Sequence, residues 1–256
     1  MILNYIQQIR FYELDVLRPY LYTILGKNIL EIGAGAGWQA KALSNEGYNV
    51  EAIDIKGSSY EDFRVFEIKE YDGNHLPYPD SSFDIVFTSH FLFYKINNHD
   101  FQKEIWRVLC PNGRVINIVP SGSIAFWNIL CHYLYVVKIF VLSFKDKNNV
   151  DLNLTRIFEK ASKSNFKTKF IKALIPYSFI PQINFIYQFY YFSRLHWLPF
   201  FKQNGWDVEK KIPTKCFHTG YSLLGFHLNI LIRRVLSIFL GSSSIIYILK
   251  KSENEK

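Results

Sequence analysis

The 256-residue chain is 49% hydrophobic and 18% aromatic, which excludes a disordered polypeptide and leaves room for one large domain or a core with a substantial insertion. Its net charge of +8 is split unevenly: residues 1–120 carry 11 Lys+Arg against 15 Asp+Glu, and residues 121–256 carry 19 against 7. Cys110, Cys131 and Cys216 lie far apart without disulfide or metal-ligand spacing, the pattern of a reduced compartment.

An opening helical segment is expected over roughly residues 5–24. Tyr5, Gln7, Gln8, Arg10, Glu13 and Asp15 break up any apolar leader, so no secretory signal is expected there. Short apolar runs then follow at 28-NILEI-32, 49-NVEAID-54, 63-FRVFEI-68, 84-DIVFTS-89 and 113-GRVINIV-119, bounded by Gly, Asn, Asp or Pro as buried strands are. Helical stretches alternate with them, clearest at 37-GWQAKALSNEG-47 and 99-HDFQKEIWRVL-109, and Gly47 stands where a helix C-cap glycine belongs. Strands alternating with helices predict an α/β fold, a parallel sheet covered on both faces.

Ligands of such sheets bind beyond the carboxyl ends of the strands, where the winding reverses. The stretch 30-LEIGAGAGWQAKAL-43 takes that place, and its glycines let backbone approach a ligand and turn tightly into a helix. A dinucleotide fingerprint fits it poorly. The register Gly35-Ala-Gly37-Trp-Gln-Ala40 begins two residues too late, and the register set by Gly33 puts bulky Trp38 at the third glycine position. A pyrophosphate would also gain nothing from Glu31.

The pattern E-x-G-x-G-x-G instead resembles the first motif of the class I S-adenosylmethionine-dependent methyltransferases. Asp54 at the end of the second strand, 72-DGNHLPYPDSSFDIVFTS-89 and 104-EIWRVLCPNGRVI-116 resemble three further family motifs in order, together covering roughly residues 25–120. The resemblance implies a Rossmann-like seven-stranded sheet, mostly parallel with an antiparallel last strand, and S-adenosyl-L-methionine as cofactor. It implies that Glu31, Gly33, Gly35 and Gly37 cradle the methionine end, that Asp54 holds the ribose, and that Ile55 packs on adenine. Asp72 would accept from the adenine amino group, Gly73 would give a backbone contact, and Ser89 and His90 would flank the sulfonium. Pro111-Asn112-Gly113 replaces the family's Pro-Gly-Gly, a turn that Asn112 can keep by adopting a left-handed backbone. Leu92-Phe93-Tyr94 stands where many small-molecule members have Leu-Glu-His, so no histidine base is given at that position.

After Pro120 the sequence turns aromatic and basic. Strands are expected at 205-GWDVEKKI-212 and 243-SSIIYILKK-251, making residues 1–120 the cofactor-binding core, 121–204 a helical insertion over the active-site edge, and 205–256 the completion of the sheet. The segment 124-IAFWNILCHYLYVVKIFVLSF-144 gathers Asn128, His132, Tyr135, Lys138 and Ser143 on one side, suiting an interfacial or core-covering helix rather than a span. A further apolar helix is expected over residues 222–240. The aromatics, with Lys160, Lys163, Lys167, Lys169 and Lys172, fit either core packing or docking on an anionic membrane.

These features also resemble methyltransferases of bacterial polysaccharide biosynthesis, implying a small-molecule or lipid-linked glycan acceptor for a cytoplasmic enzyme, peripheral on the inner membrane face. The expected chemistry is direct in-line transfer to a hydroxyl or an amine. A hydroxyl needs a proton acceptor, for which His90 comes first, then Tyr94 and His132. No metal and no nucleic-acid partner is expected. A soluble metabolite remains an alternative acceptor, and a non-catalytic membrane or nucleic-acid-binding protein remains the rival class.

Overall fold

β-Branched and aromatic residues of alternating orientation build the sheet in this computed structural model, which describes residues 2–95, 97–145, 176, 178, 183–219 and 228–253. In chain order the strands are β1 (Asn28–Ile32), β2 (Asn49–Ile55), β3 (Lys69–Tyr71), β4 (Phe83–Ser89), β5 (Leu109–Pro120), β6 (Trp206–Pro213) and β7 (Ser244–Lys251). They form one seven-stranded sheet in the order β3-β2-β1-β4-β5-β7-β6. β1 to β5 pair in parallel, and β7 runs antiparallel to both β5 and β6. The winding reverses between β1 and β4, so a crevice opens beyond their carboxyl ends.

Alternation along each strand divides the core into two layers. Ile29, Ile85, Phe87, Ile116 and Ile248 pack with Leu14, Leu17 and Leu21 of α1 (Ile2–Leu21) and Leu43 of α2 (Trp38–Asn45). Leu30, Val86, Val115 and Tyr247 face the other way, onto Phe101 and Ile105 of α3 (His99–Val108) and Trp197, Phe200 and Phe201 of α6 (Arg194–Gln203). Four helix starts are capped by short polar side chains that accept from first-turn amides. Asn98 accepts from Phe101 and Ser193 from Leu195; Asn184 caps α5 (Phe185–Tyr191), and Asn229 caps α7 (Ile230–Leu240).

Two local expectations are corrected. The run 63–68 is not a strand: Val65 N–H donates to the Ala36 carbonyl, and Phe66 and Ile68 cover Gly37, so these apolar residues brace the glycine loop. Lys69–Tyr71 pairs with Ile53–Ile55 in its place. Nor does Asn112 turn left-handed. Pro111-Asn112-Gly113 lies within β5, and the extra length is absorbed where the register with β4 shifts between Phe83 and Ile85.

Of the basic half, α4 (Gly122–Lys145) leaves β5, and α5, α6 and α7 surround β6 and β7. Ser123 Oγ and Trp127 Nε1 donate to the Leu240 carbonyl, tying α4 to the end of α7. Both helices turn apolar side chains outward: Phe126, Leu130, Leu134 and Val137 from α4, and Leu231, Val235, Ile238 and Phe239 from α7. Inward they bury Asn128 and His132, and Arg233 and Ser237. Part of the expected 222–240 helix, residues 222–227, and the lysines at 160, 163, 167, 169 and 172 lie outside the described residues. Among the described residues no helix is long and apolar enough to cross a membrane.

Candidate active site

A cavity of about 790 Å³ fills the crevice beyond β1 and β4. The chain leaves β1 through Gly33 (φ 72°), Gly35 (φ 57°) and Gly37 (φ 74°), left-handed positions that oppose most side chains. A Cβ on Gly33 would fall 2.4 Å from the Phe91 ring. The loop closes on β2 through Gly33 N–H to the Ile53 carbonyl at 2.9 Å and Gly35 N–H to Asp54 Oδ2 at 2.8 Å. Asp54 Oδ1 accepts from Ile55 N–H at 2.8 Å, so backbone donors fix this carboxylate at the cavity wall.

Glu31 sits beneath the loop. It is 2% exposed, and its Oε2 has no hydrogen-bond partner. Burial pushes its carboxyl up to about 8, the nearby Asp54 charge adds to this, and a bond from the Ala40 amide opposes it. A buried carboxyl oxygen without a partner is costly unless something arrives to meet it. Its position on the cavity suits a cationic ligand group. Ser89 Oγ, at the end of β4, is likewise buried without a partner on the cavity lining.

Along the wall, half-exposed Ile55 lines the cavity with Ser58, Ser59 and Tyr60, and Tyr60 meets Trp38 edge to face at 6.0 Å. Asp72, Gly73, Gly37 and His132 lie off the lining. Asp72 is spent on its own turn: Oδ1 accepts from the Asn74 and His75 amides at 2.7 and 2.8 Å, and Oδ2 meets His75 Nδ1 at 2.8 Å. These bonds, the His75 side chain first, hold its carboxyl well below the usual range. Gly73 stands behind Ile55, and its carbonyl accepts from Lys95. Gly37 begins α2, where a Cβ would strike Phe66 at 2.8 Å. His132 is buried on α4 beside Tyr133.

His90 follows β4 with φ 54°, a strained conformation for a non-glycine residue, anchored by its N–H to the Ile118 carbonyl at 2.8 Å. Its ring lines the cavity, as does exposed Tyr94. Nothing in the amino-acid order marks its partners. His90 Nε2 lies 3.0 Å from Glu13 Oε1 and 3.4 Å from Ser244 Oγ. The other oxygen of fully buried Glu13 accepts from Arg10 at 2.7 Å. His218 stands 6.5 Å from His90, ring to ring, with Nδ1 buried and unpartnered. Burial first, then Arg10, lowers the His90 pKa against the pull of Glu13; burial lowers His218 to about 3. Both rings are therefore neutral at pH 7. Ile124 of α4 and Phe192 after α5 cover the same cavity from the second half of the chain.

Residues 30–117 match the sequence family described as a methyltransferase domain. The chain is 34% identical over 101 residues to demethylmenaquinone methyltransferase of Clavibacter sepedonicus, covering 36% of this chain and 41% of that protein. It is 26% identical over 189 residues to ubiquinone biosynthesis O-methyltransferase of Rickettsia typhi, covering 68% and 74%. It therefore spans about two fifths of the first relative's length and three quarters of the second's. A solved structure from Mesorhizobium loti, titled an S-adenosylmethionine dependent methyltransferase, superposes with a TM-score of 0.50 at 12% identity, covering 92% of this chain and 98% of that one. That likeness is one of fold.

Proposed function

Residues 30–117 form a class I S-adenosylmethionine-dependent methyltransferase domain, and from that premise we propose that the protein transfers a methyl group to a hydroxyl of a carbohydrate-like or lipid-linked acceptor. The observation that carries the cofactor reading is the buried, unpartnered Oε2 of Glu31 beneath the glycine loop, with Asp54 fixed beside it. Glu31 would receive the ammonium of the methionine moiety, Asp54 the ribose hydroxyls, and Ile55 the adenine face. S-adenosylmethionine, once bound, supplies a methyl that its sulfonium already makes electrophilic.

The chain's own work is then alignment, exclusion of water and removal of a proton. Phe91, Ile124 and Phe192 give the cavity apolar walls that disfavour water. His90, neutral and on the lining, takes the hydroxyl proton; an imidazole there favours a hydroxyl over an acceptor that needs no base. The Rickettsia typhi relative, named as an O-methyltransferase, agrees with that preference. Calorimetry is the test. Binding of S-adenosylmethionine and S-adenosylhomocysteine but not NAD supports the assignment, and tight NAD binding overturns it.

The outward apolar faces of α4 and α7 favour a lipid-borne acceptor, met by peripheral association of a cytoplasmic enzyme with an anionic membrane. Exposed Arg234 on α7 and the net charge of +12 over residues 121–256 suit such a surface. Vesicle flotation tests this reading. Indifference to both anionic and neutral vesicles would shift the acceptor to a soluble metabolite or sugar nucleotide. Mass spectrometry of cellular glycans and lipids with and without the protein would identify the acceptor.

A further inference from the structure

We infer that Glu13 is a positioning residue that fixes the protonation state of His90, so that His90 Nδ1 is the atom that accepts the proton from the acceptor hydroxyl. This rests on the reading of the cavity as a methyltransferase site and adds to it a residue from an element, α1, outside the matched domain.

Geometry limits the choices. Glu13 is 0% exposed, and its two oxygens are divided between Arg10 at 2.7 Å and His90 Nε2 at 3.0 Å. A buried carboxylate held by a guanidinium is an acceptor only, so the imidazole nitrogen facing it must carry hydrogen. A neutral imidazole with Nε2–H has its lone pair on Nδ1. That nitrogen has no hydrogen bond to the described residues, and the ring lines the cavity. The left-handed backbone of His90, pinned to Ile118, holds the ring between α1 and the cavity, and Ser244 Oγ of β7 closes the third side.

The proton balance is simple. As the acceptor oxygen forms its bond to the methyl carbon, the carbon–sulfur bond breaks and its electron pair stays on sulfur. The hydroxyl proton passes to Nδ1, giving an imidazolium whose Nε2–H points at the Glu13 carboxylate. The charge created at His90 is thus met by one already in place. Titratable or charged groups also act on this pair from neighbouring elements, Arg10 on α1 and Cys216 and His218 before α7, with Arg233 of α7 and Tyr5 of α1 behind Cys216. Arg10 neutralises part of the Glu13 charge, and burial keeps His218 uncharged, which leaves His90 as the ring placed to take the proton.

The test is nitrogen-15 NMR of the full chain with labelled histidines, without cofactor. The expected wild-type signature is His90 with hydrogen on Nε2 and a bare Nδ1. In Glu13→Gln that preference weakens, the His90 titration moves to lower pH, and calorimetric affinity for S-adenosylhomocysteine is unchanged. In turnover, the acid limb of kcat should follow His90 downward while its plateau falls by about a hundredfold, the scale of general-base catalysis. Hydrogen on Nδ1 in the wild type, or a His90 titration indifferent to Glu13→Gln, overturns the inference. If Glu13→Gln does not fold, the wild-type tautomer decides by itself. Because that signal is read without cofactor, failure to bind S-adenosylhomocysteine would overturn the methyltransferase reading separately.

Discussion

Helices α3 and α7 follow opposite rules. α3 buries Phe101, Ile105 and Val108 and turns Asp100 and Lys103 to water, as a surface helix on a sheet should. α7 buries Arg233, whose guanidinium donates to the carbonyls of Phe217 and Leu228 and lies 4.6 Å from the Tyr5 ring centroid. It leaves Ile238 and Phe239 about four-fifths exposed. The cofactor half of the molecule is therefore built for water outside and a polar ligand within. α7 instead buries a polar side and leaves an apolar one outward, and α4 repeats the inversion. On the proposed reading, cofactor binding depends on the first surface and membrane docking on the second, and the two should fail separately.

Gly33→Val should give the largest effect, loss of cofactor binding by calorimetry with vesicle flotation retained. The added side chain starts 2.4 Å from Phe91 in a left-handed backbone. Cofactor binding at wild-type affinity in that variant would show the cradle to be elsewhere. The converse change is Ile238→Asp with Phe239→Asp. Flotation on anionic vesicles should be lost, since burying each large apolar side chain contributes about 1.5–3 kcal/mol, while cofactor affinity stays put. Loss of both together would erase the division between the halves.

Asp54→Ala tests a smaller term within the chemical half. Removing a carboxylate that accepts from the cofactor should weaken binding by about 1.5–3 kcal/mol. Unchanged affinity with the fold intact would count against the ribose contact. The smallest expected effect is a pH slope. Glu31 titrates at about 8 in the free protein, and an ammonium ligand requires its ionised form. Below that pH, binding should release about one proton, so affinity should rise by up to about tenfold per pH unit and level off above pH 8. Free wild-type protein should also lose stability as pH rises from about 4.5, where unfolded glutamate ionises, through 8, where the folded group does. Glu31→Gln should flatten both slopes, and thermal melts and calorimetry across pH read them directly.

What could be read from the amino-acid order was what local spacing encodes. Glu31, Gly33, Gly35 and Asp54 were found because a motif fixes their distances along the chain, and the structure brings them to one cavity wall. The strands followed from short runs of apolar residues, except at 63–68, where the same apolarity serves the glycine loop. Asp72 shows what motif reading leaves out, since its oxygens also hold its own turn and it lies off the cavity lining. Glu13 and His218 carried no signal at all. Each is a lone residue on an unremarkable segment, and only tertiary folding makes them neighbours of His90.

The separation of those neighbours along the chain has a consequence for biosynthesis. His90 meets Glu13 across 77 positions and Ser244 across 154, and β7 must slide between β5 and β6 before the last contact exists. A ribosome adding about 5–20 residues per second needs roughly 8–30 s to pass from His90 to Ser244. During that interval the chain already carries the glycine loop between β1 and β2, and once β5 is made it remains a bare sheet edge until its antiparallel neighbour β7 follows. An unfinished chain is thus sticky before its site is complete, and the His90–Glu13 pair gains its third contact only when β7 has emerged.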